Sequence, residues 1–291
     1  MTDTVFSLAT VDMPNISGVR TLTQNEYENI SKEISELEKF RSEEALYNLI
    51  ELNYQDLEAK IDFYLNQYVV NPKADFVEFS FQFLDLNRLI LNLLSSIRTY
   101  LDHTETRLNR TFGDNSDEYK LFKTLISECF DNHFAYRFLE KLRNYSQHCG
   151  MPTGSINITD DENGKSLKLL LVRDDLLKNF SSWGAIVKPD LQSQSDEFDI
   201  IPLFKQKNSL LKEVNHKISS VLLNKLSNQG NNLLQLILET QAKNGGIPCL
   251  LKISGDIDNP NMEMKWFPYD VISKITNVKM NVIYKNEMPS R

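Results

Sequence analysis

The chain has 291 residues, 41% hydrophobic and 25% charged, with a formal net charge of −8. That length can bury a sizeable core in one large domain or two small ones, and the composition is that of an ordinary soluble globular protein. The negative balance argues against a chain that coats nucleic acid or an anionic membrane. Only 10 Gly and 9 Pro favour long helices over a turn-rich all-β fold.

The acidity is uneven. Residues 24–75 hold 12 Asp and Glu against 5 Lys and Arg, whereas residues 98–148 hold 8 of each. The second stretch therefore leaves room for a locally basic groove. Cys129, Cys149 and Cys249 are odd in number and widely spaced, with no CxxC pair and no zinc-like His/Cys cluster. Free thiols in a reducing compartment are the simplest reading, and no metal or cofactor is expected. No basic region followed by an apolar run opens the chain, so no signal peptide is expected. No apolar stretch approaches the length of a membrane span. The expected location is the cytoplasm.

In chain order, residues 1–22 read as a flexible N-terminus with Pro14 and Gly18. "LTQNEYENISKEISELEKF" reads as a helix, with Thr23 as N-cap and Glu26 as its capping-box partner. From Ser42 to about Tyr68 an apolar helical stripe gives a second helix or a continuation of the first. "NPKADF" breaks the pattern. In "VEFSFQF" the alternation of Val77, Phe79, Phe81 and Phe83 suits a strand, but Phe76, Phe79, Phe83, Leu86, Ile90, Leu93, Ile97 and Leu101 form a helical stripe. The spacing predicts a helix from about residue 83, leaves 76–82 open, and ends it at Gly113 as a C-cap. The next helix is predicted from Asp117 through to Gly150, with Pro152 barring continuation.

Beyond residue 152 the character changes. "SINITDDENGKSLKLLLV" reads as a β-hairpin turning at "DENG", and "RDDLLKNF" as a short helix. Residues 182–200 read as loop. "SLLKEVNHKISSVLLNKLSNQGNNLLQLILETQAKNGG" is one long helix or two, interrupted near Gly230, followed by the short strand "IPCLLKIS" and a last helix starting near Pro268. The fold class expected is mainly α, a helical bundle with a small β-hairpin and short-strand addition in the C-terminal half. The regions expected are a flexible 1–22, a helical 23–152, and an α+β part over 153–291 packed on the same domain.

"KLRNYSQHCG", residues 141–150, carries the chemistry. Residues five apart on a helix lie about 140° apart around the axis, so Arg143 and His148 do not stack directly. Asn144 and His148 share a face, and the long stem of Arg143 can swing toward it. Histidine trades protons near neutral pH, and a guanidinium matches phosphate oxygens in a fork. Such a set can cleave RNA without a metal: a base activates the ribose 2′-hydroxyl, the guanidinium steadies the charged phosphorane, and an acid protonates the leaving oxygen. DNA lacks that hydroxyl.

"RNYSQH" resembles the R-x4–6-H motif of HEPN domains, which are helical-bundle proteins, and Asn144 meets that motif's preference for a polar residue after the arginine. The resemblance covers roughly residues 83–150. It implies a metal-independent endoribonuclease of toxin–antitoxin, phage-defence or stress systems, with Arg143 stabilising the phosphorane, His148 as general acid and base, and Asn144 orienting one of them. It also implies an RNA substrate, a homodimer whose two motifs face one cleft, and a cognate antitoxin or regulatory protein. Other members of the family keep the fold and only bind a partner or a nucleotide, and that is the alternative carried here.

The same spacing recurs in "SIRTYLDHTE", at Arg98 and His103, with Thr99 as a weaker second residue. It is either a chance repeat or a neighbouring helix lending His103 to the same pocket. The motif also has a purely architectural reading: Arg143 and His148 favour the C-terminal dipole, Arg143 pairs with Glu140, Leu142 and Tyr145 face the core, and Gly150 ends the helix. Elsewhere, His133 reads as a core or pocket histidine, His216 as solvent-facing, and Cys149 as a buried thiol. "NGG" and "SGD" are turns, without a phosphate loop or dinucleotide fingerprint.

Overall fold

A computed structural model describes residues 4–70, 76–161, 164–256 and 259–280. The described residues are mainly helical, with two small antiparallel sheets. Among them no helix is long and apolar enough to cross a membrane. The chain divides into two compact units, residues 1–44 with 219–291 and residues 45–218.

The first unit is built on a four-stranded sheet. Strands β1 (Val5–Asp12) and β2 (Asn15–Leu22) occupy the segment expected to be loose. They form because β1, buried without a break from Ser7 to Val11, lies between β2 and a second neighbour far along the chain, β6 (Ile247–Asp256). Strand β7 (Asn259–Trp266), absent from the sequence reading, completes the order β2-β1-β6-β7. Pro260 near its start fits an edge strand, which can spare an N–H.

Helix α1 (Gln24–Val70) starts in this unit and continues unbroken into the residues of the second. No Gly or Pro interrupts those 47 residues. Its start is the capping box expected: the Thr23 N–H donates to Glu26 Oε2 at 2.8 Å, and the Glu26 N–H donates to Thr23 Oγ1 at 3.2 Å. Helices α8 (Ser227–Lys243) and α9 (Tyr269–Thr276) pack together, so closely at Gly230 that a Cβ there would lie 2.7 Å from Ile275. The long C-terminal helix is two, interrupted near Gly230 as expected: α7 (Ile201–Lys225) gives way at Leu226, four residues before that glycine. Gly230 itself serves that close packing.

The second unit carries the candidate site. Helix α2 (Phe76–Phe112) settles the ambiguous 76–82 as helix. It ends at Gly113, whose φ of +89° is the C-cap conformation expected. Residues 71–75, most of the expected break, lie outside the described residues. One face of α2 is continuous core: Leu86, Ile90, Leu93, Ile97 and Tyr100 are all buried. Helix α3 (Asp117–Asn132) is capped by Ser116, whose hydroxyl accepts from the Tyr119 N–H.

The predicted single helix over 117–150 is two. His133 adopts extended dihedrals (φ −129°, ψ 112°) that break the helix, and α4 (Phe134–His148) follows. The carbonyls freed at the end of α3 are taken up by Arg137, whose Nη1 donates to Phe130 and Asp131 oxygens at 3.0 and 3.2 Å. Arg137 also pairs with Asp190 on α6 (Gly184–Gln192). That helix and the short strand β5 (Glu197–Asp199) replace the loop expected over 182–200. Trp183 anchors the segment, donating from Nε1 to Leu176 O at 3.0 Å and stacking on Phe138.

The hairpin expected after residue 152 is present as β3 (Ser155–Asp161) and β4 (Gly164–Val172), with β5 added on the β4 edge. Glu162 and Asn163 of its turn lie outside the described residues. Helix α5 (Arg173–Asn179) follows as expected.

Candidate functional site

Helix α4 is held by one apolar face. Ala135, Tyr136, Phe138, Leu139, Leu142 and Tyr145 are buried, at spacings of three and four. Leu142 and Tyr145 face the core as expected. Past Tyr145 that stripe stops, so the last turn projects: Gln147, His148, Cys149 and Gly150 are all exposed. Cys149 is thus an exposed free thiol, not the buried one expected. It sits where the helix leaves the core, and its N–H closes the last turn on Tyr145 O at 2.8 Å.

Arg143, Asn144 and His148 all belong to this end. Arg143 is half-buried and its Nη1 donates to Asn144 Oδ1 at 3.4 Å. Its Nε is buried without a hydrogen-bond partner, and no carboxylate among the described residues pairs with it. A buried guanidinium N–H left unsatisfied carries a desolvation cost of roughly 1–3 kcal/mol. The expected partner, Glu140, is turned to Arg98 instead. No hydrogen bond or ion pair among the described residues engages the His148 ring. Asn144 therefore touches the arginine, while the histidine stands in solvent at the helix end.

The second match differs. Arg98 is exposed in mid-α2 and chelates Asp102 through two nitrogens, at 2.6 and 2.8 Å. Its Nη1 also lies 3.9 Å from Glu140 on α4. His103 is exposed. Helices α2 and α4 run antiparallel, since Arg98 meets Glu140 and Asn87 meets Thr153, beyond the end of α4. From the Arg98–Glu140 level, His148 lies eight residues one way and His103 five the other. At 1.5 Å per residue the two histidines are about 20 Å apart along the axes. His103 does not share a pocket with His148.

Two residues that sequence reasoning passed over shape this region. Asn87 is fully buried: its Oδ1 accepts the Thr153 N–H at 3.1 Å and hydroxyl at 3.0 Å, and its Nδ2 donates to Phe83 O at 2.9 Å. It fixes the chain just past α4. Lys207, on α7, is 1% exposed. Its Nζ donates to Tyr136 O at 3.2 Å and sits 4.4 Å from the Tyr136 ring centroid. Burial pulls its pKa down to about 8, with Glu140 opposing that shift and Arg98 reinforcing it. Burial also pushes the Tyr136 phenol above its ordinary range. A signal for both existed, a polar residue standing in an apolar helical stripe: Asn87 beside Leu86 and Ile90, Lys207 among Phe204, Leu211 and Val214.

Other hollows do not compete for the same chemistry. His133 lines a cleft of about 200 Å³ with Cys129, Glu128, Glu213 and Lys217, and its Nδ1 lies 3.3 Å from Gln206 Nε2. Burial, with Glu213 and Glu128 nearby, pushes the Cys129 thiol up, the reverse of an activated nucleophile. His216 is exposed, as expected. In the first unit a groove of about 1060 Å³ lies between α1 and the β7–α9 turn, lined by Glu38, Arg41, Lys265 and Trp266 among others. It contains none of the sequence-predicted site residues. Among the described residues no group of three or more His, Cys, Asp or Glu could hold a metal ion. No protein-family model, no curated protein and no solved structure matches the chain.

Proposed function

We propose that the chain is a HEPN-like, metal-independent endoribonuclease with its site at the C-terminal end of α4, acting in the cytoplasm as a homodimer in a toxin, phage-defence or stress role. The observation that carries the reading is the state of Arg143: a half-buried guanidinium with no acidic partner among the described residues, touched by Asn144, one helical turn from an exposed His148. A guanidinium serving only the fold is normally matched by a carboxylate or carbonyls, as Arg98 and Arg137 are here.

In this reading a phosphodiester of RNA binds in the fork of Arg143. The neutral His148 imidazole takes the 2′-hydroxyl proton, and the 2′ oxygen attacks phosphorus. Charge on the phosphorane falls on the guanidinium, whose Nε is already out of water. The 5′ oxygen leaves with a proton from an imidazolium, giving a 2′,3′-cyclic phosphate and a 5′-hydroxyl. In a homodimer the histidines of two copies divide the base and acid steps.

The test is RNA cleavage by the purified full chain, with Arg143→Ala and His148→Ala compared at matched far-UV circular dichroism. Loss of cleavage in both variants is the expected result. A folded wild type that cleaves no RNA in the presence or absence of chelator, and is harmless when overproduced, replaces this reading with the non-catalytic module that binds a protein partner or a nucleotide.

A further inference from the structure

His148 is exposed, and its ring has no hydrogen-bond partner among the described residues. Its place is therefore set by the backbone turn that carries it, residues 148–150. Tyr145 holds that turn from two sides. Its carbonyl accepts the Cys149 N–H at 2.8 Å. Its phenol lies against Gly150: a Cβ built there would come 3.3 Å from the hydroxyl oxygen and 3.8 Å from Cζ. The first distance is tighter than ordinary packing, so a side chain at 150 would force one partner to move. The φ of Gly150 is not left-handed, so backbone conformation does not demand a glycine here. The neighbouring hydroxyl does.

The phenol is itself fixed. Tyr145 is 7% exposed. Its ring stacks on Trp183 at 6.0 Å and meets Phe180 edge-on at 6.1 Å, and the Asn179 side chain hydrogen-bonds its oxygen. Trp183 is tied in turn to Leu176 O. We propose that Tyr145 is the positioning residue for His148: its hydroxyl is the seat on which the turn 148–150 rests, and Gly150 is the residue that fits the seat. The inference rests on the reading of His148 as the acid–base group and adds the side chain that aims it. Misplacing such a group by about 1 Å can cost on the order of 10²-fold in rate. Phosphate binding belongs to Arg143, so the effect of Tyr145 falls on kcat.

The geometry dictates the sign of a coupling. Gly150→Ala alone drives a methyl group into a hydroxyl that is held by Asn179 and two rings, so the turn shifts. Tyr145→Phe alone removes the seat and leaves a gap. The two changes together fit, because the atom then nearest the new methyl is Cζ at 3.8 Å, an ordinary contact. Two independent structural losses would add; a seat and its fitted residue give losses that cancel.

Hydrogen exchange of the Cys149 amide in the full chain, measured by NMR, reads the turn without RNA. Gly150→Ala and Tyr145→Phe are each expected to exchange about tenfold faster than wild type, and the double variant to return to within about threefold. On RNA, each single change is expected to lower kcat about tenfold with KM within about twofold, and the double variant to recover most of the loss. Should Tyr145→Phe misfold, Asn179→Ala replaces it: with the hydroxyl released, Gly150→Ala is expected to add no further exchange. Losses that add in the double variant, a Gly150→Ala protein that exchanges like wild type, or an effect on KM in place of kcat overturns the proposal. A wild type that cleaves no RNA fails the nuclease reading, while exchange alone still confirms or overturns the seat.

Discussion

Two segments of this chain carry an arginine five residues before a histidine, and they sit in different surroundings. In mid-α2, Arg98 is clasped by Asp102 and faces Glu140. It belongs to a charge cluster that includes the buried Lys207. At the end of α4, Arg143 has Asn144 as its neighbour and a buried Nε without a partner. The spacing is the same, but the neighbours are not. An arginine whose charge is already answered by carboxylates has little left for a phosphate; one desolvated without an acid is prepared for it. Glu140 lies 3.9 Å from Arg98, and among the described residues it makes no ion pair with Arg143.

The comparison breaks most sharply on activity. Arg143→Ala or His148→Ala is expected to lower the initial rate of RNA cleavage by about 10²–10⁴, while Arg98→Ala and His103→Ala stay within about threefold of wild type. Initial rates on a fluorogenic RNA read this directly, and equal losses in both pairs would erase the distinction.

The charge cluster under Arg98 has its own signature, in pH. Lys207 has a folded pKa of about 8 against an ordinary 10.5. Between these values the unfolded chain holds a proton that the folded chain has released. Stability therefore rises with pH across that window, and is lost again as pH falls to 8. The span corresponds to about 3 kcal/mol. In urea unfolding at pH 8 and pH 10.5, the difference between wild type and Lys207→Met is expected to change by that amount, with the variant lacking the rise. A constant difference would mean that Lys207 titrates normally.

Asn87→Ala removes the acceptor for the Thr153 N–H and hydroxyl in a buried place. It is expected to cost about 2 kcal/mol by urea unfolding, and to reduce cleavage beyond what the loss of fold explains, since the end of α4 loses its tether. Thr23→Ala, in the other unit, opens the capping box for about 1 kcal/mol and leaves cleavage untouched. Arg98→Ala has the smallest effect on stability, below about 1 kcal/mol, as its pair with Asp102 is solvent-exposed.

What the sequence made legible was local. The Thr23–Glu26 box, the Gly113 cap, the hairpin over 155–172 and the short helix over 173–179 are each written within a few residues. What it hid was set by distant partners. Strand β1 pairs with β6 more than 230 residues later, so residues 5–12 alone look loose. The break at His133 depends on Arg137 collecting the carbonyls that α3 releases. The α6 segment contains Pro189 and reads as loop until Trp183 is buried beside it. At the candidate site the three motif residues were readable from spacing, but the state of Arg143 was not: which carboxylates come within its reach is decided between helices.

RNA cleavage is proposed for the end of α4 and not for mid-α2. The most direct measurement is end-group analysis of one RNA incubated in chelator with wild type, Arg143→Ala, His148→Ala, Arg98→Ala and His103→Ala. Wild type and both α2 variants are expected to give 2′,3′-cyclic phosphate and 5′-hydroxyl ends, and both α4 variants to leave the RNA intact. Cleavage that survives in Arg143→Ala and His148→Ala, or that disappears equally in all four, would contradict it.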